Sequence, residues 1–234
     1  MHLSRFESTA TAPPTLQISK AGSKKKRQVD ITIMYSAPLI HRKERTNVAT
    51  QLSDPVDFDT EINALRRMFQ EENYKIKLKV EIATVSNLIN VISKQPTILH
   101  FICHGEFSKK KQSVYLAFEN DCGELDKCFA NRIQKLLSKS SIDIKIVFVN
   151  ACHSEEVGNV FLEAGIPCVI AVQSELKIED RVAQKFSENF YRAIFCGETI
   201  RNAFDIATMQ VQAIYGAQVY TCCCAHSHTS NCRW

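Results

Sequence analysis

Hydrophobic and polar residues along the chain follow two patterns, the alternation or short apolar run typical of strands and the 3.6-residue period typical of helices. Three apolar runs, residues 97–103, 144–149 and 167–172, predict buried central strands. Strands that alternate with helices predict an α/β fold in which a mostly parallel sheet is covered on both faces. The remaining strands are predicted over residues 29–35, 74–83 and 114–118, and helices over residues 57–72, 85–93, 127–138, 159–164, 180–195 and 199–214.

The two ends of the chain differ in composition from its middle. Residues 1–28 are rich in Ser, Thr, Ala and Pro and hold six basic residues against one acidic residue. The net charge of this segment is +5 and that of the whole chain is +4, so the rest carries −1. We predict a disordered basic leader over residues 1–28, one folded domain over residues 29–215, and an irregular tail rich in Cys and His over residues 216–234.

Charge and composition exclude several classes of function. A nearly neutral folded part does not predict a specific nucleic-acid surface, and no apolar run approaches the ~20 residues of a membrane span. No strand is followed by a Gly-rich phosphate-binding motif, so a nucleotide site is not expected. The ten cysteines, without a secretory signal, predict reduced thiols and a cytoplasmic location, with nuclear import through the basic run from Lys24 to Arg27 as a variant of that location.

The predicted tail contains residue types that bind zinc. These are Cys224, His226, His228 and Cys232. Their spacing is shorter than in any standard zinc finger, and a second group of ligands does not accompany them. We therefore expect no metal site and no cofactor.

Two of the buried strands end in reactive side chains. The first apolar run leads into His104 and Gly105, and the second leads into Cys152. In an open parallel sheet, functional sites lie beyond the carboxyl ends of the strands. If the two strands are neighbours, ~4.8 Å apart, the imidazole and the thiol can meet.

Such a pair suits nucleophilic catalysis. A free thiol, with a pKa of about 8.5, is mostly protonated at neutral pH, and a histidine, with a pKa of about 6.5, can accept its proton and later protonate a leaving amine. Gly105 would let a substrate approach closely, and its N–H could donate to an oxyanion together with the N–H of Cys152. Of the nearby residues, His100 and Cys103 are interpreted as packing residues, and His153 is expected to point away from Cys152.

The residues around this pair resemble the caspase-like cysteine peptidases, and most closely the CHAT domain. His104–Gly105 and Asn150-Ala-Cys-His-Ser each follow an apolar run, and His104 precedes Cys152 by 48 residues, similar to the ~50 residues of caspases. Phe161-Leu-Glu-Ala-Gly, followed by a strand, and the helical pattern that begins at Asp180 extend the resemblance. It covers about residues 29–213.

This resemblance implies a caspase-like three-layer α/β/α sandwich with a mostly parallel central sheet. It also implies that Cys152 is the nucleophile, His104 the general acid/base, and Gly105 with Cys152 the oxyanion hole. Gln173, where the family commonly has Trp, and Asp180 are the implied substrate-binding positions. Asp180 is interpreted first as the N-terminal residue of a helix.

We therefore expect a cysteine endopeptidase that cleaves protein or peptide substrates, with a regulatory protein as a further partner. A catalytically silent signalling or scaffold module with the same fold is the alternative. It is favoured by two departures from the family pattern: the Gly-rich stretch after the cysteine is shortened to His153 through Gly158, and Gln173 replaces Trp.

Overall fold

A six-stranded sheet forms the centre of the molecule. A computed structural model describes residues 29–42, 48–51, 56–71, 75–139, 141–173, 178–216 and 220–224. The strands are β1 (Val29–Tyr35), β2 (Ile40–Arg42), β3 (Ala49–Gln51), β4 (Ile76–Ile82), β5 (Ile98–Ile102), β6 (Gly105–Ser108), β7 (Ser113–Glu119), β8 (Leu125–Phe129), β9 (Ile146–Asn150), β10 (Cys168–Val172) and β11 (Tyr220–Cys224).

The central sheet has the order β11-β10-β9-β5-β1-β4. All its neighbouring strands are parallel except β10 and β11, which are antiparallel. Every residue of β5, β9 and β10 is buried, as their continuous apolar runs predict. A hairpin of β2 and β3 and a small antiparallel sheet of β6, β7 and β8 complete the strands.

Helices cover both faces of the central sheet. They are α1 (Phe58–Glu71), α2 (Val85–Lys94), α3 (Ala130–Leu137), α4 (Glu155–Glu163), α5 (Asp180–Phe195) and α6 (Ile200–Tyr215). One hydrophobic core joins the sheet to α1, α5 and α6, and a second joins it to α2, α3, α4 and the small sheet. The expected three-layer α/β/α sandwich with a mostly parallel sheet is therefore confirmed.

The segment before α3 differs from the sequence prediction. Residues 127–138 were predicted to be helical throughout, but the helix begins at Ala130 and the preceding residues form β8. Here the strand pairing with β7 overrides the helix propensity of residues 127–129. In this pairing Cys128 is completely buried, and the Phe129 ring lies 5.4 Å from the ring of Tyr115.

The first described part of the predicted irregular tail is regular, which corrects that prediction. Residues Tyr220–Cys224 form β11 and pair with the otherwise open edge of β10. An unpaired strand edge exposes a row of backbone donors and acceptors, and this pairing satisfies them. Tyr220 is 2% exposed and belongs to the core of the α1, α5 and α6 face.

Within the described ranges, no helix is both long enough and apolar enough to cross a lipid bilayer.

Phe148 of β9 is central to the core on the α5 side. Its ring is completely buried, stacks on the His100 ring at 4.4 Å, and contacts the rings of Phe186, Phe190 and Tyr220. We expect Phe148→Ala to lower the free energy of unfolding by about 3–5 kcal/mol, because it removes a completely buried ring and its contacts and leaves a cavity. Urea denaturation followed by far-UV circular dichroism measures this loss.

The matched control is Phe107→Ala, in which the same atoms are removed from a ring that is 50% exposed. This variant should lose about 1 kcal/mol or less. Equal losses in the two variants would show that Phe148 does not have the packing role described.

Candidate active site

The two predicted reactive loops leave neighbouring strands at the same edge of the central sheet. Strands β5 and β9 are parallel, and Ile102 at the end of β5 lies opposite Asn150 at the end of β9. The pairing continues one step further, since Cys103 N–H donates to the Asn150 carbonyl at 3.3 Å. His104 and Cys152 follow directly, and both line one cleft at this edge.

Gly105 lies against the backbone of the Cys152 loop. A Cβ at position 105 would overlap the carbonyl oxygen of Cys152 and would lie 3.0 Å from its carbonyl carbon and 3.2 Å from its nitrogen. The sequence predicts that this glycine allows close approach of a substrate. The structure gives a different reason, because the neighbouring loop itself occupies the space that a side chain would need.

The register of the small sheet fixes the direction of the Gly105 N–H group. The His104 carbonyl accepts the Ala117 N–H at 2.8 Å, so these two residues form a hydrogen-bonded pair. Gly105 lies opposite Leu116, the next pair along the ladder, which must be of the non-hydrogen-bonded kind. The N–H of Gly105 therefore faces away from β7.

A tight turn carries Cys152 from β9 into α4. His153 has φ 57°, a left-handed conformation that is uncommon outside glycine. Ser154 holds the turn, because its buried hydroxyl donates to the Val149 carbonyl at 3.0 Å and accepts the Val172 N–H at 2.9 Å. The strained residue thus follows the candidate nucleophile, where such conformations are often found in functional sites.

The environments of Cys152 and Cys103 differ sharply. Cys103 is 3% exposed, and burial raises the pKa of its thiol far above the ordinary range, so it is protonated and inert at neutral pH. Cys152 is partly exposed in the cleft, and its sulfur accepts the N–H of Ile178 at 3.3 Å. Of these two thiols, only Cys152 is placed for chemistry.

The cleft has a volume of about 1180 Å³ and lies between β6 on one side and the first turns of α1 and α5 on the other. The acidic residues that line it are Asp57, Glu61, Glu106, Glu179 and Asp180, and the basic residue is Arg181. The guanidinium of Arg181 donates to Glu179 at 2.6 Å, so these two charges offset each other. The described walls of the cleft are therefore predominantly acidic.

The two positions implied for substrate binding have different places. Asp180 is the first residue of α5, as expected, and its carboxylate accepts the backbone N–H of Asp57 at 2.9 Å beside the start of α1. It also lines the cleft. Gln173 follows the last residue of β10 at the same edge of the sheet, but it does not contribute to the described cleft wall.

A buried polar network beneath the cleft was missed by the sequence analysis. Glu61 of α1 is 2% exposed and accepts Asn150 Nδ2–H at 2.8 Å and the Ser187 hydroxyl at 2.6 Å. The Tyr220 hydroxyl donates to Asn150 Oδ1 at 2.8 Å. Glu61 lies one helical turn before Leu65, within the apolar stripe of α1. A carboxylate at such a position is the sequence feature that could have predicted a buried polar group.

Burial governs the protonation of this network. It raises the pKa of the Glu61 carboxyl to about 7 and lowers the pKa of His100 to about 3. His100 is completely buried in β5, with Nδ1 at 3.2 Å from the Tyr191 hydroxyl, which confirms it as a core histidine. Its Nε2 is 3.6 Å from Glu61, but a neutral imidazole forms no ion pair there.

Metal ligands are not clustered in the part of the chain that the structure describes. No group of three or more His, Cys, Asp or Glu side chains is placed to hold an ion there. Three of the zinc candidates, His226, His228 and Cys232, lie outside the described residues, as does the side chain of Cys224.

The contact of Gly105 with Cys152 predicts a severe effect of a single methyl group. In Gly105→Ala the added Cβ can be accommodated only if the two loops separate, so we expect a stability loss of about 1–3 kcal/mol and displacement of Cys152 relative to His104. Thermal denaturation and the rate of Cys152 alkylation measure the two effects.

Gly158→Ala is the matched control. There the added methyl meets only the side chains of Ala171 and Val169, at 3.1 and 3.2 Å, and alanine favours the helix. If Gly105→Ala were as stable and as reactive as this control, the close contact would be disproved.

Comparison with known proteins assigns this chain to a family. The family model of the CHAT domain matches residues 3–219 of the sequence, a span that begins within the predicted leader.

Among solved structures, the separase–securin complex of Saccharomyces cerevisiae is 14% identical with a TM-score of 0.48, and the match covers 85% of this chain and 12% of that chain. The pyridoxal kinase from Staphylococcus aureus in complex with pyridoxal is 8% identical with a TM-score of 0.30, and covers 78% of this chain and 86% of that one. The comparison with curated proteins gives no match. The family model spans most of the sequence, so the chain belongs to the CHAT domain family.

Proposed function

We propose that this CHAT domain is a cysteine endopeptidase in which Cys152 is the nucleophile and His104 the general acid and base. The observation that carries the proposal is the pairing of β5 with β9, which brings both residues to one cleft. Neither residue type is unusual in itself. Their arrival from adjacent buried strands, beside a glycine that contacts the cysteine backbone, is the arrangement that thiol catalysis needs.

In the first half of the reaction, the His104 imidazole removes the proton from the Cys152 thiol. The sulfur attacks the carbonyl carbon of the scissile peptide bond, a C–S bond forms, and the carbonyl π electrons move onto oxygen. Collapse of this tetrahedral intermediate breaks the C–N bond. The proton held by His104 passes to the leaving amine, and a thioester remains on Cys152.

In the second half, His104 removes a proton from water, and the resulting hydroxide attacks the thioester carbonyl. The C–S bond breaks, the acid product leaves, and the proton returns to the sulfur. The N–H groups of Gly105 and Cys152 stabilise the oxyanion in both halves. Support for Gly105 in this role comes from its N–H direction, away from β7.

The substrate is an extended segment of a protein or peptide. Among the described strands, β6 pairs on one side only, with β7, so the backbone groups of Phe107 face the opposite edge. Phe107 lines the cleft with half of its surface exposed. A peptide added along this edge would gain backbone hydrogen bonds and an apolar contact beside His104. Asp180 and Gln173 are retained as substrate-binding positions. The first role of Asp180 is to accept the backbone N–H of Asp57 at the start of α1.

A catalytically silent signalling or scaffold module is the second candidate function. The observation that favours it is the contact of Ile178 with Cys152, because the sulfur accepts the Ile178 N–H at 3.3 Å and lies 3.9 Å from its carbonyl oxygen. An attacking sulfur must leave these contacts. A regulatory protein partner that shifts residues near Ile178 would suit either candidate, as would a cytoplasmic location.

The test is cleavage of a degenerate peptide library by the full chain, by Cys152→Ala and by His104→Gln. We expect the Cys152 variant to be inactive and the His104 variant to lose about 10²- to 10⁴-fold in rate. Cys122→Ala, which removes an exposed thiol elsewhere on the surface, is the matched control and should cleave normally.

Alkylation by iodoacetamide separates the two candidates. An endopeptidase requires Cys152 to react faster than the exposed Cys122, whereas a silent module allows equal or slower reaction. If no peptide were cleaved and Cys152 showed no excess reactivity, the peptidase would be rejected in favour of the scaffold.

A further inference from the structure

We infer that Asn150 is a positioning residue that holds the loops of His104 and Cys152 in their relative places, and that Glu61 and Tyr220 fix its side chain. The inference deepens the proposed function and rests on it for its catalytic meaning. Its structural content concerns one side chain and three hydrogen bonds, which can be measured independently of any cleavage.

Asn150 contacts both loops. Its carbonyl accepts the N–H of Cys103, the residue directly before His104, at 3.3 Å. Along its own chain, Cys152 follows two residues later. A displacement of Asn150 therefore moves one candidate group directly and loosens the strand end that carries the other.

The side chain of Asn150 is held in one orientation by two different partners. Its Nδ2 donates to Glu61 Oε2 at 2.8 Å, and its Oδ1 accepts from the Tyr220 hydroxyl at 2.8 Å. A rotation of the amide by 180° would turn its oxygen towards the Glu61 carboxylate, which as an anion can only accept, so the observed orientation is the one in which both partners are bonded. Asn150 is 5% exposed, and water has little access to replace either partner.

Glu61 is itself fixed, so the chain of contacts is anchored on two helices, α1 and α5, and two strands, β9 and β11. Its other oxygen accepts the Ser187 hydroxyl of α5 at 2.6 Å. The groups that face the Glu61 carboxyl besides Asn150 and Ser187 are His100 at 3.6 Å and the more distant charges of Asp180 and Glu188. Burial, with a smaller contribution from these two carboxylates, raises the pKa of Glu61, and the hydrogen bonds from Ser187 and Asn150 offset only part of that rise.

The Tyr220 hydroxyl keeps its proton in this environment. Burial, together with the charges of Glu61 and Cys152, raises the pKa of the Tyr220 hydroxyl well above its ordinary value. This hydroxyl therefore remains a donor to Asn150 Oδ1 throughout the neutral range. Strand β11, which supplies it, thus belongs to the support of the candidate site.

Replacing the Asn150 donor by an acceptor tests the Asn150–Glu61 hydrogen bond. In Asn150→Asp two carboxyl groups face each other at the place of a 2.8 Å hydrogen bond, and they share a proton until the pH is high enough to ionise both. The rate of Cys152 alkylation, divided by that of the unmodified protein at the same pH, should fall about tenfold or more as the pH rises through 7.

The double variant Asn150→Asp with Glu61→Gln restores a complementary pair. The new Gln amide can donate to the new carboxylate while its oxygen still accepts from Ser187, and the carboxylate still accepts from Tyr220. We expect this variant to recover alkylation to within about threefold of the unmodified protein and to lose the pH dependence of the single Asn150 variant. A simple packing role for Asn150 would give no such recovery.

Tyr220→Phe tests the second bond, with Tyr191→Phe as its matched control. Both replacements remove one hydroxyl from a completely or almost completely buried ring in the same core, but only Tyr220 contacts Asn150. We expect Tyr220→Phe to lower kcat and the alkylation rate about tenfold with little change in KM, and Tyr191→Phe to leave all three unchanged.

Amide hydrogen exchange of residues 103–105 and 149–154 separates the inference from the proposed function. It should accelerate in Asn150→Asp and Tyr220→Phe and return to normal in the double variant, even if the protein cleaves nothing. Absence of cleavage with this exchange pattern would reject the peptidase and retain the positioning role. A double variant no better than Asn150→Asp, or Tyr220→Phe and Tyr191→Phe with equal effects, would overturn the positioning role whatever the activity.

Discussion

The parallel pairing of β5 with β9 is the constraint on which the candidate site depends. Because both strands run in the same direction and end at the same level, with Ile102 opposite Asn150, their following residues must leave at one edge. The side chains of both strands are buried on both faces of the sheet, which prevents a slip of register, since a slip would place different residues in each core. The site is thus positioned by elements that are among the best packed in the molecule.

Around this rigid edge the protein places groups that are costly to bury. Glu61, Asn150 and Ser187 lie in the interior, where an unpaired polar group would cost about 1–3 kcal/mol. Each has hydrogen-bond partners from other elements, so the network joins α1, α5, β9 and β11 behind the cleft. An apolar core could fill the same volume, but it would not fix the orientation of an amide at the end of β9.

Much of the fold follows from sequence patterns that act over short distances. Helix α5 has the bounds that its apolar stripe predicts, and the strand ends that lead to His104 and Cys152 could be located from their apolar runs. Strand β8 and strand β11 were not predicted. Strand β8 is decided by its pairing with β7 in a hairpin rather than by its own residue pattern, and β11 by a partner strand, β10, that is distant in sequence. In the site, Glu61 stands in an apolar stripe that could have identified it, whereas Tyr220 has no local signal and is recruited only through the edge of β10.

The pairing of β11 has a consequence for the biosynthesis of the protein. The ribosome makes Tyr220 after every other described residue that lines or supports the cleft. A nascent chain can form β5 and β9, and bring the two loops together, before the hydroxyl that orients Asn150 has been synthesised. The arrangement therefore separates formation of the sheet from completion of the edge that carries the candidate site. Full assembly of that site is delayed until β11 has been synthesised.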